Sequence, residues 1–469
     1  MSSKKSALVW FRRDLRIADN HALFKACEDN DKVYCVFVFD KNILDKLPTN
    51  DRRLTFIYES IQEMQEALGE HGANLHVLYG DPVEEIPSIA EKLKVSAVYT
   101  NRDYESYAIH RDKKVKQSLA KLKIDFFDYK DHVIFEKEEV LTQNETYYKV
   151  FTPYKKQWLL EFHKNKPQVF KVNYTKLCKS SQKKIPELAD MNFEHQRDNL
   201  FQGGRKQALK HWDKFKKSEL KNYKKARDFP AKSATSNLSP YLRFGNISIR
   251  ELCLAVHKSK SLDVQTWLSE LIWRDFYQMI LAAFPYVEKS AFKQEYSKIR
   301  WPGGEREFQA WKEGKTGYPI VDAAMRHFAE TGWMHNRLRM VVAMFLTKDL
   351  MVNWQWGEAY FAEKLLDFEL ASNNGGWQWS ASTGVDAQPY FRIFNPYSQS
   401  EKFDPEGEFI KQHLPELKNF SKKHVHNPSL ASPLEQAEAG CQIGKDYPAP
   451  IVDHKAQRIK ALDLFKKVK

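Results

Sequence analysis

ALVWFRRDLRIADNHALFKACEDNDKVYCVFVFD, residues 7–40, sets the fold class. ALVWF (7–11) is a short, continuous apolar run, which reads as a strand buried on both faces. A polar turn follows, then a predicted helix around 20–29, and KVYCVFVFD (32–40) is a second strand of the same kind. The alternation continues outward. RRLTFIYESIQEMQEALGEHG (52–72) predicts an amphipathic helix ending at a glycine. NLHVLYG, a helix across 83–93, SAVYTN, a helix across 106–122 and IDFFDY complete the pattern. Strand and helix in strict alternation predict a parallel sheet covered on both faces. No GxGxxG follows the first strand, so an ordinary dinucleotide fingerprint is absent.

The chain has 469 residues, more than one core usually holds, so two or more domains are expected. With 42% hydrophobic residues and a mean hydropathy of −0.62 it reads as soluble and globular. Its longest apolar runs are too short to span a bilayer, and MSSKK opens no apolar leader. Five cysteines (27, 35, 178, 253, 441) are scattered without a CxxC. That spacing argues against a zinc site or a disulfide framework and favours a reducing compartment.

Net charge is +13, and residues 155–184 hold nine lysines against one glutamate. A solvated linker accounts for that run as well as a field that attracts phosphate backbones does. From 132 to 204 the periodicity dissolves, and the segment reads as a long connection. From 205 onward helical periodicity takes over, with 10 of the 12 tryptophans. The expected division is therefore 1–131, 132–204 and 205–469, with a partly irregular tail after about 415.

Residues 373–396, NNGGWQWSASTGVDAQPYFRIFNP, combine amides, glycines and alternating tryptophans. Glycines permit close backbone approach to a bulky planar group, and the indoles offer stacking surfaces. The run resembles the flavin-binding signature of the DNA photolyase and cryptochrome family, specifically its class I cyclobutane pyrimidine dimer photolyases. LVWFRRDLRIADNHAL (8–23) resembles the family's amino-terminal signature, and the resemblance extends from about residue 7 to 410. It implies an α/β amino-terminal domain with a Rossmann-like parallel sheet. A long linker then joins this to a large all-α FAD-binding domain.

TSNLSP (235–240) offers a Ser239 cap with Pro240 at the first helical position. A well-capped helix explains that much, and the same N-terminus suits a pyrophosphate. The resemblance assigns the FAD phosphates to Thr235, Ser236, Asn237, Leu238 and Ser239, and adds Tyr223 and Trp267 to the cofactor site. GWMHNRLRMVVAMFL (332–346) reads as a helix carrying Arg337 and Arg339. By resemblance Arg339 and Asp367 form a pair beside the isoalloxazine, suited to an anionic reduced flavin (FADH−), with Asn336 close by. A structural salt bridge would use the same two residues. The family usually has aspartate where this chain has Glu369. Asn373 matches the residue facing flavin N5, where plant cryptochromes usually carry aspartate and insect-type cryptochromes cysteine. The asparagine favours repair over signalling.

WLSELIWRDFYQMIL (267–281) brings Glu270, Trp273 and Tyr277 to one helix face. An aromatic stripe alone is more often core, but a carboxylate inside it needs a partner. In the family this helix lines the pocket for a flipped pyrimidine dimer. The resemblance implies that Trp273 and Trp379 flank the dimer, that Glu270 hydrogen-bonds a pyrimidine, and that Met340 contacts the pocket wall. Arg227, Arg274, Tyr277, Asn336, Arg337 and Gln399 match DNA- or dimer-contacting positions. Trp301, Trp354 and Trp377 match the family's electron-transfer chain. The implied reaction sends an electron from excited, reduced FAD to the dimer, breaks two C–C bonds and returns the electron.

The (6-4) photolyases carry a histidine pair where this chain has His335-Asn336, so dimer repair is expected. The alternative is a blue-light receptor without repair activity. A flavin-binding structural protein on DNA fits the charge but leaves Glu270 and the tryptophans without purpose. NRDYESYAIHRD (101–112) resembles the family's light-harvesting segment and implies an antenna chromophore, folate or deazaflavin. Folate-binding members often have Asn-Glu where this chain has Tyr107-Ala108. The expected partner is UV-damaged DNA, with no membrane, no metal and no obligate protein partner. A monomer in the cytoplasm, associated with the nucleoid, is expected.

Overall fold

The computed structural model describes residues 5–181 and 183–468. The charged start read for a leader lies outside them, except for Lys5. Contacts gather the chain into two compact units. One comprises 1–148, 152–218 and 236–283, the other 149–151, 219–235 and 284–469. This partition takes four α-helices expected in the carboxy-terminal domain, Arg205–Lys214, Ser239–Arg243, Ile249–Val256 and Leu262–Ala283, into the first unit.

The first unit holds five strands, β1 (Ser6–Phe11), β2 (Lys32–Asp40), β3 (Leu75–Gly80), β4 (Ala97–Asn101) and β5 (Asp125–Tyr129). All four pairings are parallel, in the order β3-β2-β1-β4-β5. Side chains alternate between faces as the pleat requires. Leu8, Trp10, Val36, Val38 and Val98 pack with the helices Pro82–Lys92 and Ser106–Lys121. Val9, Phe11, Cys35 and Phe37 are buried on the opposite face. Short polar caps start the helices: Asn20 accepts from Leu23 N, Asp51 from Arg53 N and Asp81 from Val83 N. The helix Arg52–Glu70 closes on Gly72, whose φ of +72° an L side chain would strain.

The stretch 132–204, read as a long connection, carries regular structure of its own. Phe151–Lys164 forms a helix, with Phe151, Tyr154, Trp158 and Phe162 buried at spacings of three and four. A lysine-rich exposed face masked that stripe. Trp158 Nε1 donates to Asp275 at 2.9 Å, and the backbone N–H groups of Ile134 and Phe135 donate to the same carboxylate. Burial pushes the Asp275 carboxyl up to about 6.

The second unit is helical. Its core runs from Phe308, Trp311 and Tyr318 through Phe328, Leu346 and Phe361 to Phe409 and Tyr447. The helix His454–Lys466 docks by a 2.5 Å contact from His454 Nδ1 to Asp349 and by the buried ring of Phe465. Beneath Phe465, Lys348 is fully buried with its Nζ 3.4 Å from the ring centre. It donates to the carbonyl of Ala381 at 3.2 Å. Burial holds its amine well below the usual lysine range.

Candidate active site

In the first unit, the helix Leu262–Ala283 buries Leu268, Leu271, Ile272, Phe276 and Met279. Glu270, Trp273, Arg274 and Tyr277 stay half-buried along one side, the stripe that the spacing predicted. The Trp273 ring lies 5.4 Å from Tyr277 and 5.6 Å from Phe276. Arg274 donates to the carbonyl of His132 and so braces the same segment that Asp275 holds. Trp267 is a core residue, stacked on Trp212 at 5.0 Å and against Phe215 at 5.5 Å.

The capping expectation for Ser239 is corrected. Ser239 begins the five-residue helix Ser239–Arg243, Leu238 holds the cap position, and no side chain caps it. Pro240 is second in the helix. Asn237 stands at φ +53° and Leu238 follows in the right-handed region. That combination turns successive backbone N–H groups toward one side, an arrangement suited to anions. Ser236 and Asn237 are half-buried and Ser239 is exposed.

In the second unit, the helix expected across 332–346 is shorter. Gly332, at φ +68°, ends the helix Pro319–Thr331, and the next helix runs Asn336–Met344. His335 caps it, its Nδ1 accepting from Arg337 N at 3.2 Å. Burial drives the imidazole down to about 4, so it is neutral near pH 7. Asn336, Arg339 and Met340 share one face by spacing. Arg339 donates to Asp367 at 2.8 and 3.1 Å and to the Met334 carbonyl at 2.8 Å. The expected arginine–aspartate pair is therefore formed. Arg337 donates to Asp228 at 2.9 Å and lies over Phe403, while Arg227 lies over Tyr223. Thr235 is half-buried.

The first part of the signature run, to residue 381, lies in the helix Leu370–Ala381, which starts after Glu369. Glu369 accepts from the Ser372 hydroxyl at 3.2 Å. The Asn373 amide nitrogen donates to the Glu358 carboxylate at 2.8 Å and to the Glu358 carbonyl at 3.0 Å. Burial raises the Glu358 carboxyl above its ordinary range. No donor among the described residues reaches Asn373 Oδ1. Trp379 and Gln399 are half-buried, and Trp377 and Trp354 are buried. Gly357, on the helix Trp354–Lys364, lies against the Trp377 indole so closely that a Cβ would sit 2.1 Å from Cη2. Trp301 is half-buried, with its ring edge-on to Phe465 at 6.0 Å.

At the carboxyl edge of the sheet, β1 and β4 flank the point where strand order reverses, the usual ligand crevice of such sheets. Asp14 accepts there from Asn20 and Asn101 at 2.9 and 2.7 Å. Tyr107 donates its hydroxyl to Asp40 at 2.8 Å, and the Arg12 and Arg111 guanidinium groups lie 4.7 and 4.9 Å from the Trp10 ring centre.

Sequence reasoning missed Glu358, Asp228 and the capping role of His335. All three act on an expected site residue from another segment or from the adjacent loop, and only tertiary structure reveals such partners. The donor set fits a large polar planar group. His335 Nε2, Arg337 Nε and Gln399 Oε1 are buried with no partner among the described residues. A Cβ on Gly376 would meet nothing within 4 Å, which leaves open space beside the helix that carries Asn373.

Residues 7–171 match the family described as DNA photolyase, and residues 267–467 match the FAD binding domain of DNA photolyase. The deoxyribodipyrimidine photo-lyase of Vibrio cholerae is 39% identical across 98% of this chain and 99% of its own. The bacterial class III photolyase from Agrobacterium tumefaciens has a TM-score of 0.90 at 32% identity, covering 100% of this chain and 98% of its own. An archaeal photolyase from Sulfolobus tokodaii, solved with two FAD molecules, scores 0.80 at 33% identity, covering 98% and 100%.

Proposed function

The chain belongs to the DNA photolyase family, and we propose that it repairs cyclobutane pyrimidine dimers in DNA. It is a light-driven carbon–carbon lyase that uses FAD. When bound, reduced FAD supplies the excited-state electron that opens the cyclobutane ring and takes it back afterwards.

The chain's own residues bind, orient and tune. Thr235, Ser236, Asn237, Leu238 and Ser239 hold the phosphates through hydroxyls and turned N–H groups, with Tyr223 beside them. Arg339 places positive charge at the ring edge while Asp367 and the Met334 carbonyl fix its orientation. Trp267 acts from the core by packing, and Glu369 by fixing the start of the signature helix. Trp273 and Trp379 flank the flipped dimer and replace the stacking it loses. Glu270 hydrogen-bonds a pyrimidine edge and favours the charge that develops there. Met340 and Tyr277 line the wall, and Arg227, Arg274, Asn336, Arg337 and Gln399 contact the DNA. Trp377, Trp354 and Trp301 carry electrons to the flavin when it has become oxidised.

Asn373 is the observation that carries the reading. Its NH2 is committed to Glu358, so its oxygen is the atom left to accept a hydrogen bond. Reduced flavin has an N–H at N5 and oxidised flavin has none. An acceptor at that position favours the state needed for repair.

The division at 131 and 204 and a class I identity belong to the same proposal. So do a second, light-harvesting chromophore in the α/β unit and action as a monomer at the nucleoid. Among the described residues no helix is long and apolar enough to cross a membrane. The test is light-dependent restoration of a thymine-dimer oligonucleotide by purified, reduced protein, with a dark control. Restoration under blue light alone supports repair. Failure with FAD and damaged DNA both bound makes the protein a photoreceptor.

A further inference from the structure

Asp228 is the single carboxylate in KNYKKARDFPAK (221–232), among five cationic residues. Its Oδ1 accepts from Arg337 Nη2 at 2.9 Å, and Arg227 Nε lies 3.9 Å from the same atom. The Arg337 guanidinium is also held over the Phe403 ring, 4.3 Å from its centre. Phe229, the residue after Asp228, stands edge-on to that ring at 6.3 Å. Arg337 Nε is buried and has no partner among the described residues. One end of this guanidinium is therefore occupied, one face is covered and one N–H is sealed in, which leaves the Nη1 side to meet a ligand. Side-chain exposures of 16% for Arg337 and 31% for Asp228 keep the pair within reach of a group arriving from solution.

We propose that Asp228 sets the discrimination between damaged and undamaged DNA, by fixing Arg337 in one direction and cancelling one of the two positive charges that Arg337 and Arg227 offer to phosphates. The inference rests on the reading of Arg337 as a DNA contact. Phosphates are the same in damaged and undamaged strands, so a mobile arginine rewards both alike. A guanidinium tied to Asp228 cannot follow a phosphate, and rewards only a backbone bent to reach it. A flipped dimer supplies that geometry, because the nucleotide leaves the stack by rotating about its backbone. On an undamaged duplex the carboxylate instead meets the incoming phosphates as a like charge, which costs binding. Asp228 is thus a positioning residue that acts through Arg337.

The test measures binding in the dark, by the full-length, FAD-loaded protein, to a thymine-dimer oligonucleotide and to its undamaged twin over a range of salt concentrations. Asp228→Asn keeps the size of the side chain and loosens Arg337. It is expected to bind undamaged DNA about fivefold more tightly at about 0.15 M salt and to steepen the salt slope by about one, the counterion release of one added phosphate contact. Affinity for the dimer should change by no more than about twofold, because that phosphate contact is already made in the wild type. The ratio of the two affinities therefore falls. Asp228→Glu restores the charge and is expected to restore the ratio, with flavin content per chain as the control for folding. An unchanged ratio in Asp228→Asn, whether both DNAs gain, lose or hold, overturns the proposal. So does a gain on undamaged DNA that persists in Asp228→Asn/Arg337→Gln. Arg337→Gln alone is expected to flatten the salt slope; binding and slope both unchanged by it would remove Arg337 from the DNA and overturn the reading beneath.

Discussion

Asn373 and Glu358 are joined twice, through the carboxylate at 2.8 Å and the backbone carbonyl at 3.0 Å, so the asparagine amide has a single orientation. Glu358→Leu removes the side-chain half of that grip, worth about 1.5–3 kcal/mol for a hydrogen bond to a charged group and about half that if the carboxyl is neutral. FAD is expected to remain bound while the reduced protein reoxidises in air several-fold faster, read from the return of flavin absorption. Glu358→Gln keeps an acceptor oxygen and should stay near wild type. Equal rates in all three proteins would remove Glu358 from the site.

Gly357→Ala places a methyl group 2.1 Å from Trp377 Cη2 and 2.7 Å from Leu346 Cδ2. Both the indole and the leucine are buried in the core, so overpacking should cost about 1–3 kcal/mol. Thermal unfolding should shift down, and photoreduction should slow as Trp377 moves. A melting temperature within error of wild type would show that the two helices can part at no cost.

His335 makes stability depend on pH. In the unfolded chain its imidazole titrates near 6.5, and burial lowers this to about 4 in the fold. Between those values the unfolded state binds the extra proton, so stability falls as pH drops through the window. The Asp275 and Asp349 carboxyls, raised to about 6 by burial, act in the opposite direction. His335→Asn keeps a capping side chain and removes the titration. Relative to wild type it should gain about 2 kcal/mol between about pH 7.5 and pH 5, measured by urea unfolding. A pH-independent difference would assign the proton uptake elsewhere.

Glu270→Ala should lower the quantum yield of repair more than it weakens binding of dimer-containing DNA. Saturating substrate separates the two effects. Comparable yields in wild type and variant would leave Glu270 a binding group only.

The sheet was legible because it is redundant. Each buried strand reads as an apolar run, and Asn20, Asp51 and Asp81 mark helix starts in the sequence itself. The helix 151–164 was not legible. Its stripe of Phe151, Tyr154, Trp158 and Phe162 sits among lysines that satisfy the description of a linker equally well. The Arg339–Asp367 pair was expected from family resemblance, and composition alone gave no reason to choose it over Arg337. Arg337 in fact turns to Asp228, more than a hundred residues away in sequence. Glu358 lay hidden for a related reason. Its partner is one helix later, and nothing in the spacing between residues 358 and 373 marks the two as neighbours. Capping by His335 was obscured because imidazole is an uncommon cap, and Gly332 was read as helix when its left-handed backbone ends one.

Lys348 lends itself to a use unrelated to light. Burial shifts its amine toward the neutral, nucleophilic form, yet Phe465 and the terminal helix keep every reagent away from it. An acylating reagent should spare it in the closed molecule and mark it each time the helix lifts. The labelling rate of this one lysine, followed by mass spectrometry, then becomes a clock for how often the end of the chain lets go.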